Sequence, residues 1–374
     1  MSWTTAKLDE LGSVGRGKSR HRPRNDPSLY GGEIPFIQTA DIAAANYYIE
    51  GYSQTYNEQG LAQSKLWTEE TLCITIAGEN TAKTAVLNFP ACFPDSIVGF
   101  VSDKEKSDLR FVKHSLDLMK AQFRSVSKGA TQDNLSLAKI LSFDIPIPPL
   151  PTQQRIASIL SAYDDLIENN RRRIALLEQA ARLLYREWFV HLRFPGHETA
   201  KIVDGLPEGW TKTTVGAHCP LIYGKALKAE TRIEGSVDVY GSSGIVGTHN
   251  KALVTDPAII VGRKGNVGSI YWARRGCWPI DTVYFVDPSN SDFFTYFTLQ
   301  HITFQSTDVA VPGLNRDYAH SREIKMPTKT LVQSFNNRAS VFLRQAELLS
   351  LQNNALTRAR DLLLPRLMDG RIPV

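Results

Sequence analysis

The stretch IPIPPLPTQQRIASILSAYDDLIENNRRRIALLEQAARLLYREWF, Ile145 to Phe189, decides the fold. Within it Ile156, Leu160, Tyr163, Ile167, Asn170, Ile174, Leu177, Ala181, Leu184 and Trp188 recur at alternating steps of four and three, the spacing of a coiled-coil seam. The spacing predicts one long helix that starts after the proline-rich IPIPPLP and stops before Pro195 and Gly196. Residues 152 to 190 would then make a rod of roughly 58 Å at helical rise. An amphipathic helix lying on a globular core is the plainer alternative, and unbroken heptads over this length argue against it. Asn170 falls in the seam, where a polar residue costs stability and can fix register.

A second stretch offers the partner. From Thr330, TLVQSFNNRASVFLRQAELLSLQNNALTRARDLLLPRL puts Phe335, Ala339, Phe342, Ala346, Leu349, Asn353, Leu356, Arg360 and Leu363 on the same four-three ladder, again with one asparagine. Thr330 with Gln333 has the form of a capping box, and Pro365 is expected to end or kink this helix near Leu364.

The 374 residues have room for two domains besides these helices, and 42% hydrophobic with 22% charged residues describes a globular chain with a core. A net charge of +5 is too small to imply a polyanion partner, so any such attraction must come from local clustering. Cys73, Cys92, Cys219 and Cys277 are far apart, without a C-x-x-C pair, and read as buried thiols in a reducing compartment. The opening MSWTTAKLDELG lacks the build of a signal peptide, and no apolar run approaches a membrane span, so a cytoplasmic location is expected.

In order, residues 1–150 read as a mixed domain of short strands and turns, 151–195 as the first helix, 196–329 as a second mixed domain and 330–374 as the distal helix. The order of elements is the same twice. Trp3 aligns with Trp210, Gly12 with Gly216, Pro94 with Pro279, Val98 with Val283, Asn134 with Asn315, and Pro148 with Met326 or Pro327. The expected fold class is therefore α+β: two mixed α/β domains separated by two long antiparallel coiled-coil helices, an internal duplication with pseudo-two-fold symmetry.

Catalytic patterns fail on context. Gly12, Gly17, Lys18 and Ser19 in GSVGRGKS match a P-loop by letter, but the prolines of RHRPRNDP forbid the helix that must follow. Glu323 and Lys325 form an isolated E-x-K without a partner carboxylate for a nuclease; no methyltransferase loop and no H-x-x-x-H metal pair is present. His114 and His301 read as solvated or core-edge residues.

Basic and amide chemistry in loops remains. Arg16, Lys18, Arg20, Arg22 and Arg24 crowd RGKSRHRPR, a segment too flexible and proline-broken to be a buried element. Lys225 and Lys228 occupy the matching region, and Arg263, Lys264, Arg274 and Arg275 add basic loops. These are either phosphate contacts or a solvated face. Lys128, Thr131, Gln132 and Asn134, with Asn315 and Arg316 in the second copy, are either base-reading groups or turn caps. Arg171, Arg172 and Arg173 point three ways from mid-helix and favour solvent or a protein partner.

The Ile145–Phe189 stretch, the LPEGW restart and the closing LLLPRLMDGRI resemble the specificity subunits of Type I restriction-modification systems. The resemblance implies two target-recognition domains, each reading half of a bipartite, asymmetric double-stranded DNA site, spaced by the paired helices. It implies a non-catalytic chain without its own cofactor. Two methylation subunits, docked on the helices, would supply S-adenosylmethionine chemistry, and restriction subunits ATP- and Mg-dependent translocation and cleavage. The residues alone also leave room for a self-contained modification or restriction enzyme, or for a coiled-coil scaffold that binds only protein.

Overall fold

The computed structural model describes residues 3–127, 135–306 and 313–374. The chain divides into two compact units, Met1–Asn170 with Leu351–Val374, and Arg171–Ser350. Each takes in part of both long helices, which span Leu150–Tyr185 and Lys329–Met368.

In the first unit a two-stranded pairing of Thr4–Ala6 with Ile145–Ile147 brings the start of the domain to the point where the long helix begins. Two sheets follow. One has the order Gly12–Arg16, Ile97–Ser102, Leu72–Thr75, Thr84–Leu87, Tyr48–Ile49; the other runs Gln54–Tyr56, Tyr30–Phe36, Ala91–Cys92, Leu66–Trp67. Side chains alternate across a strand, so Leu72 and Ile74 enter a core with Phe100, Phe111, Ile156 and Leu160, while Cys73 enters a second core with Trp67, Ile37 and Phe93. Burial on both faces explains why TLCITIAG reads as a continuous apolar run.

The second unit repeats this plan. Thr211–Thr214 pairs with Glu323–Met326, and one sheet has the order Leu221–Tyr223, Val283–Val286, Ala258–Gly262, Ile270–Ala273. The other joins Gly244–His249, Val237–Gly241 and Cys277–Pro279. Ile259 and Val261 face one core, Ala258 and Ile260 the other.

The hydrogen bonds correct the alignment of the repeat. Gly17 N and Lys18 N donate to Ile97 O and Phe93 O, as Gly224 N and Lys225 N donate to Val283 O and Pro279 O. Pro94 therefore matches Ile280, and Ile97 rather than Val98 matches Val283. Gly12 lies in a strand and Gly216 in the short helix Val215–His218, so those two glycines are not equivalent. Pro148 matches Pro327, because Thr4 pairs with Ile147 as Thr211 pairs with Met326.

Along both helices every seam position is buried or half-buried, from Ile156, Leu160, Tyr163, Ile167, Ile174, Leu177 and Leu184 to Phe335, Phe342, Leu349, Leu356 and Leu363. In the first unit the helices run antiparallel, with Asn170 Nδ2 donating to Asn353 Oδ1 at 3.0 Å and Asn353 Nδ2 to Ile167 O at 3.1 Å. In the second, Ala181, Tyr185, Trp188 and Phe189 close on Phe335 and Ala339. Arg186–Val190 widens into a π turn, with His191 N bonded to Arg186 O, and adjacent Trp188 and Phe189 are both buried there.

Three helix ends differ from the sequence reading. The cap of the second helix is Thr328, whose hydroxyl accepts from Leu331 N at 3.4 Å, while Thr330 is already helical. Pro365 lies inside the helix, which continues to Met368. Its missing N–H orphans only a carbonyl beside exposed Asp361, and burial of Leu364, Leu367 and Met368 offsets the cost at about 1.5–3 kcal/mol per side chain. The first helix likewise begins at Leu150, with Pro151 in its first turn, where no N–H is needed.

His114 is not a surface residue. It is 3% exposed, with Nε2 3.1 Å from Asp164 Oδ2; Asp164 on the first long helix also accepts from Arg360 Nη1 of the second at 2.7 Å. Burial pushes the Asp164 carboxyl up, but the contacts from His114 and Arg360 outweigh it and hold the pKa below the usual carboxylate value. A carboxylate depressed in the folded state contributes stability above its unfolded pKa and loses it as pH falls through the folded value. Asp164→Asn should lower unfolding stability by on the order of 3–5 kcal/mol at pH 7, by stranding buried charge. The deficit should shrink below about pH 4, near and beneath the unfolded carboxylate pKa. Urea unfolding of both proteins at pH 7 and below pH 4 checks this, and an equal deficit at both would refute it.

Candidate nucleic-acid interface

The arginine-rich segment of the first unit is tied down. Strand Gly12–Arg16 ends where Gly17 packs on two carbonyls: a Cβ there would lie 2.3 Å from Phe93 O and from Pro94 O. The counterpart Gly224 meets Ile280 O at 2.1 Å in the same way. The shared Gly-Lys pair thus serves a close backbone approach, and a strand stands where a P-loop would need its turn. Beyond it, Gln63 Oε1 accepts from Arg20 N and His21 N, at 2.6 and 3.0 Å. Asp26 accepts from Ser28 and lies 2.9 Å from His21. The Ser28 bonds, and then His21, hold the Asp26 carboxyl below its ordinary value. The expected floppy loop is instead pinned by amide and carboxylate acceptors from its surroundings.

The five cations are all exposed but not equivalent. Arg16 donates to Asp95 O, Arg22 to Ser19 O, and Arg24 makes both bonds of its ion pair with the Asp95 carboxylate at 2.8 Å. Among the described residues neither Lys18 nor Arg20 has a carboxylate partner. Lys65 joins them, its ammonium 3.4 Å over the Trp67 ring; burial and the nearby Lys18 charge lower its pKa. Among the described residues, Lys18, Arg20 and Lys65 are the cations of this edge whose charged groups have neither a carboxylate nor a carbonyl partner, and Lys65 was not apparent from the sequence.

In the second unit Arg263 and Arg316 lie over the exposed Tyr223 ring at 5.0 and 5.1 Å. Arg263 also approaches Tyr284, whose hydroxyl donates to Leu314 O and whose pKa burial and Tyr223 push up to about 12. The main chain brings these loops together: Lys264 bridges to Gly313, and Leu314 N donates to Arg263 O. Lys225 and Lys264 are exposed on the loops leading from the same sheet. A guanidinium-flanked aromatic face with lysines around it is chemistry for stacking on bases and holding phosphates. Tyr223 was missed in the sequence because it is one aromatic in a strand until Arg263 and Arg316 fold over it.

Other residues separate from this group. Arg274 approaches Glu178 of the first long helix at 4.0 Å, and Arg275 pairs with Asp238 at 3.4 Å, so both carry local partners. Asn315 caps helix Arg316–His320 by accepting from Tyr318 N at 3.0 Å. Its counterpart is Ser136, which caps Leu137–Ser142, because Leu135 N bonds Ile76 O as Leu314 N bonds Arg263 O. The asparagine match was thus two residues out of register. Lys128, Thr131, Gln132 and Asn134 lie outside the described residues.

Glu323 and Lys325 belong to a surface strand, with Glu323 3.4 Å from Lys212. All four cysteines are buried and unpaired, and burial pushes the Cys219 and Cys277 thiols up to about 12. Among the described residues no group of three or more His, Cys, Asp or Glu could hold a metal, and no helix is long and apolar enough to cross a membrane.

A family model described as Type I restriction modification DNA specificity domain matches residues 1–179. The Type I restriction enzyme MjaIX specificity subunit of Methanocaldococcus jannaschii is 23% identical, the alignment covering 100% of this chain and 94% of that protein. The HindI specificity subunit of Haemophilus influenzae is 25% identical over 66% of this chain and 72% of its own. The crystal structure of the Type I restriction-modification S subunit from M. genitalium has the same fold, with TM-score 0.60 and 17% identity over 98% of this chain and 96% of that one.

Changing Lys18 and Arg20 together to Ala should weaken binding of specific and random duplexes alike and make the log–log salt slope shallower by about two. Arg24→Ala, already spent on Asp95, should change it by less than one unit. Salt titration of duplex binding checks both, and an unaltered slope in the double variant would return Lys18 and Arg20 to the solvated surface.

Proposed function

Because the chain belongs to the specificity-subunit family of Type I restriction-modification systems, we propose that each of its two mixed domains reads one half of a bipartite, asymmetric site in double-stranded DNA. The observation that carries this reading is the repeated strand exit, Gly17–Lys18 and Gly224–Lys225, which in each domain leads into an exposed cationic edge. The edges differ in detail. The first offers Lys18, Arg20 and Lys65 beside Trp67; the second offers Tyr223 between Arg263 and Arg316. Unlike edges support unlike half-sites.

The chain acts by recognition and carries no cofactor of its own. Methylation subunits, two per chain, bring S-adenosylmethionine and the methyl transfer; restriction subunits bring ATP, Mg and cleavage; the assembly works in the cytoplasm, where its DNA is. The docking face is the outward side of the long helices. Val341, Leu348 and Leu362 are 53–67% exposed at multiples of seven residues along the second helix, and Leu176 and Leu183 stand seven apart and exposed on the first. Apolar stripes this exposed beside a filled seam mark a surface for partner helices.

The test is methyl transfer from labelled S-adenosylmethionine to plasmid DNA by the cognate methylation subunit, with and without this chain. Transfer should depend on the chain, and Leu176→Glu with Leu348→Glu should lose co-purification and transfer together while the helical content is kept. Equal transfer without the chain, or transfer by the chain alone, would overturn the proposal.

A further inference from the structure

A second cationic site lies in the first unit, away from the Arg16–Arg24 segment. Between helix Thr39–Ala44, strand Thr84–Leu87 and helix Leu109–Leu118 is a recess of about 360 Å³, lined by Lys83, Lys113, Lys120 and a single carboxylate, Asp117. That carboxylate is already committed. Its Oδ2 holds Lys113 at 2.6 Å, with the Lys113 side chain 5% exposed, and its Oδ1 accepts from the Thr84 hydroxyl. Among the described residues the Lys83 ammonium reaches only the Ala43 carbonyl, at 3.4 Å. Burial lowers the Lys120 pKa, and Arg124, Lys83 and Lys113 lower it further against the single opposing charge of Asp117. Three ammonium groups line a recess that holds one carboxylate.

The fold does not require this crowding. Asp108 and Asp292 cap equivalent helices, so the positions of Lys113, Asp117 and Lys120 correspond to Phe297, His301 and Phe304 in the second unit. The second copy is aromatic where the first is cationic. An excess of partly desolvated lysines around an open recess calls for a compact anion that accepts several donors at once, and a phosphate group has that charge and geometry.

We propose that the recess formed by Lys83, Lys113 and Lys120 seats a phosphate group. Two sources share this chemistry: a backbone phosphate of the bound duplex, which rests on the DNA-reading function proposed above, and a free phosphate, which does not.

The variant is Lys83→Met with Lys120→Met, which keeps the aliphatic stems and leaves the Lys113–Asp117 pair in place. Exposed Lys104→Met with Lys106→Met is the control for lost charge. Inorganic phosphate is titrated calorimetrically into the full chain, and the salt dependence of duplex binding is measured for the chain assembled with methylation subunits. A duplex slope shallower by about two in the recess variant, and unchanged in the control, establishes the seat with DNA as its source. Phosphate binding weakened tenfold or more with an unchanged slope establishes it with a free anion. Unchanged phosphate behaviour together with an unchanged slope, or a slope that shifts equally in variant and control, overturns the proposal. Assembled wild-type protein that binds phosphate but no duplex would count against the DNA reading and leave the seat standing.

Discussion

Everything in the first unit is keyed to one buried amide pair, Asn170 against Asn353. In a seam of leucine, isoleucine and phenylalanine, sliding one helix past the other by a heptad costs little, because apolar contacts are interchangeable. Two buried amides are not interchangeable: Asn170 Nδ2 donates to Asn353 Oδ1 and Asn353 Nδ2 to the Ile167 carbonyl, and another register would break these bonds at about 1–3 kcal/mol for each group orphaned. The pairing also places Asp164 opposite Arg360, and that salt bridge receives His114 from the recognition domain. Register and domain attachment in this unit are therefore one linked arrangement.

The two units solve the attachment problem with different chemistry. The first uses the His114–Asp164–Arg360 contacts and the Gln153 side chain, which accepts from Asp108 N and donates to Pro148 O. The second uses an aromatic cluster of Tyr185, Trp188, Phe189, Phe294, Phe297 and Phe335, with a buried bond from the Tyr185 hydroxyl to Thr298 Oγ1 and with Asn336 bridging Phe294 N and Asp292. The first attachment rests on a buried carboxylate and the second mainly on aromatic packing, so the duplicated domains are unlike in energetics as well as in loops.

The seam was legible because a 3.5-residue repeat sustained over five heptads builds little besides a coiled coil, and the duplication because Trp3 and Trp210 each open the same strand pairing. Legibility failed where tertiary contacts outrank residue type. Glycines and asparagines aligned by identity were out of register, since the Gly17 and Gly224 packing and the Ser136 and Asn315 caps define the equivalence. Pro365 reads as a stop or a kink, and the helix continues past it with Leu364, Leu367 and Met368 buried. His114 looks peripheral until Asp164 arrives from 50 residues along the chain. At the candidate interface the sequence showed a cluster of cations but not which were spent, because Asp95, which takes Arg24, lies 71 residues away. Tyr223 and the Lys83–Lys120 recess were invisible for the same reason: each is assembled from strands and helices distant in sequence.

The central claim is that each mixed domain carries its own half of the sequence specificity. The most direct measurement is a map of methylated bases in DNA from cells that hold this chain and its methylation subunit. The map is then repeated with residues 204–326 exchanged for the matching domain of another specificity subunit. The account predicts a bipartite motif in which one half changes and the other is kept. A motif that changes in both halves, or in neither while the chimera is active, would contradict it.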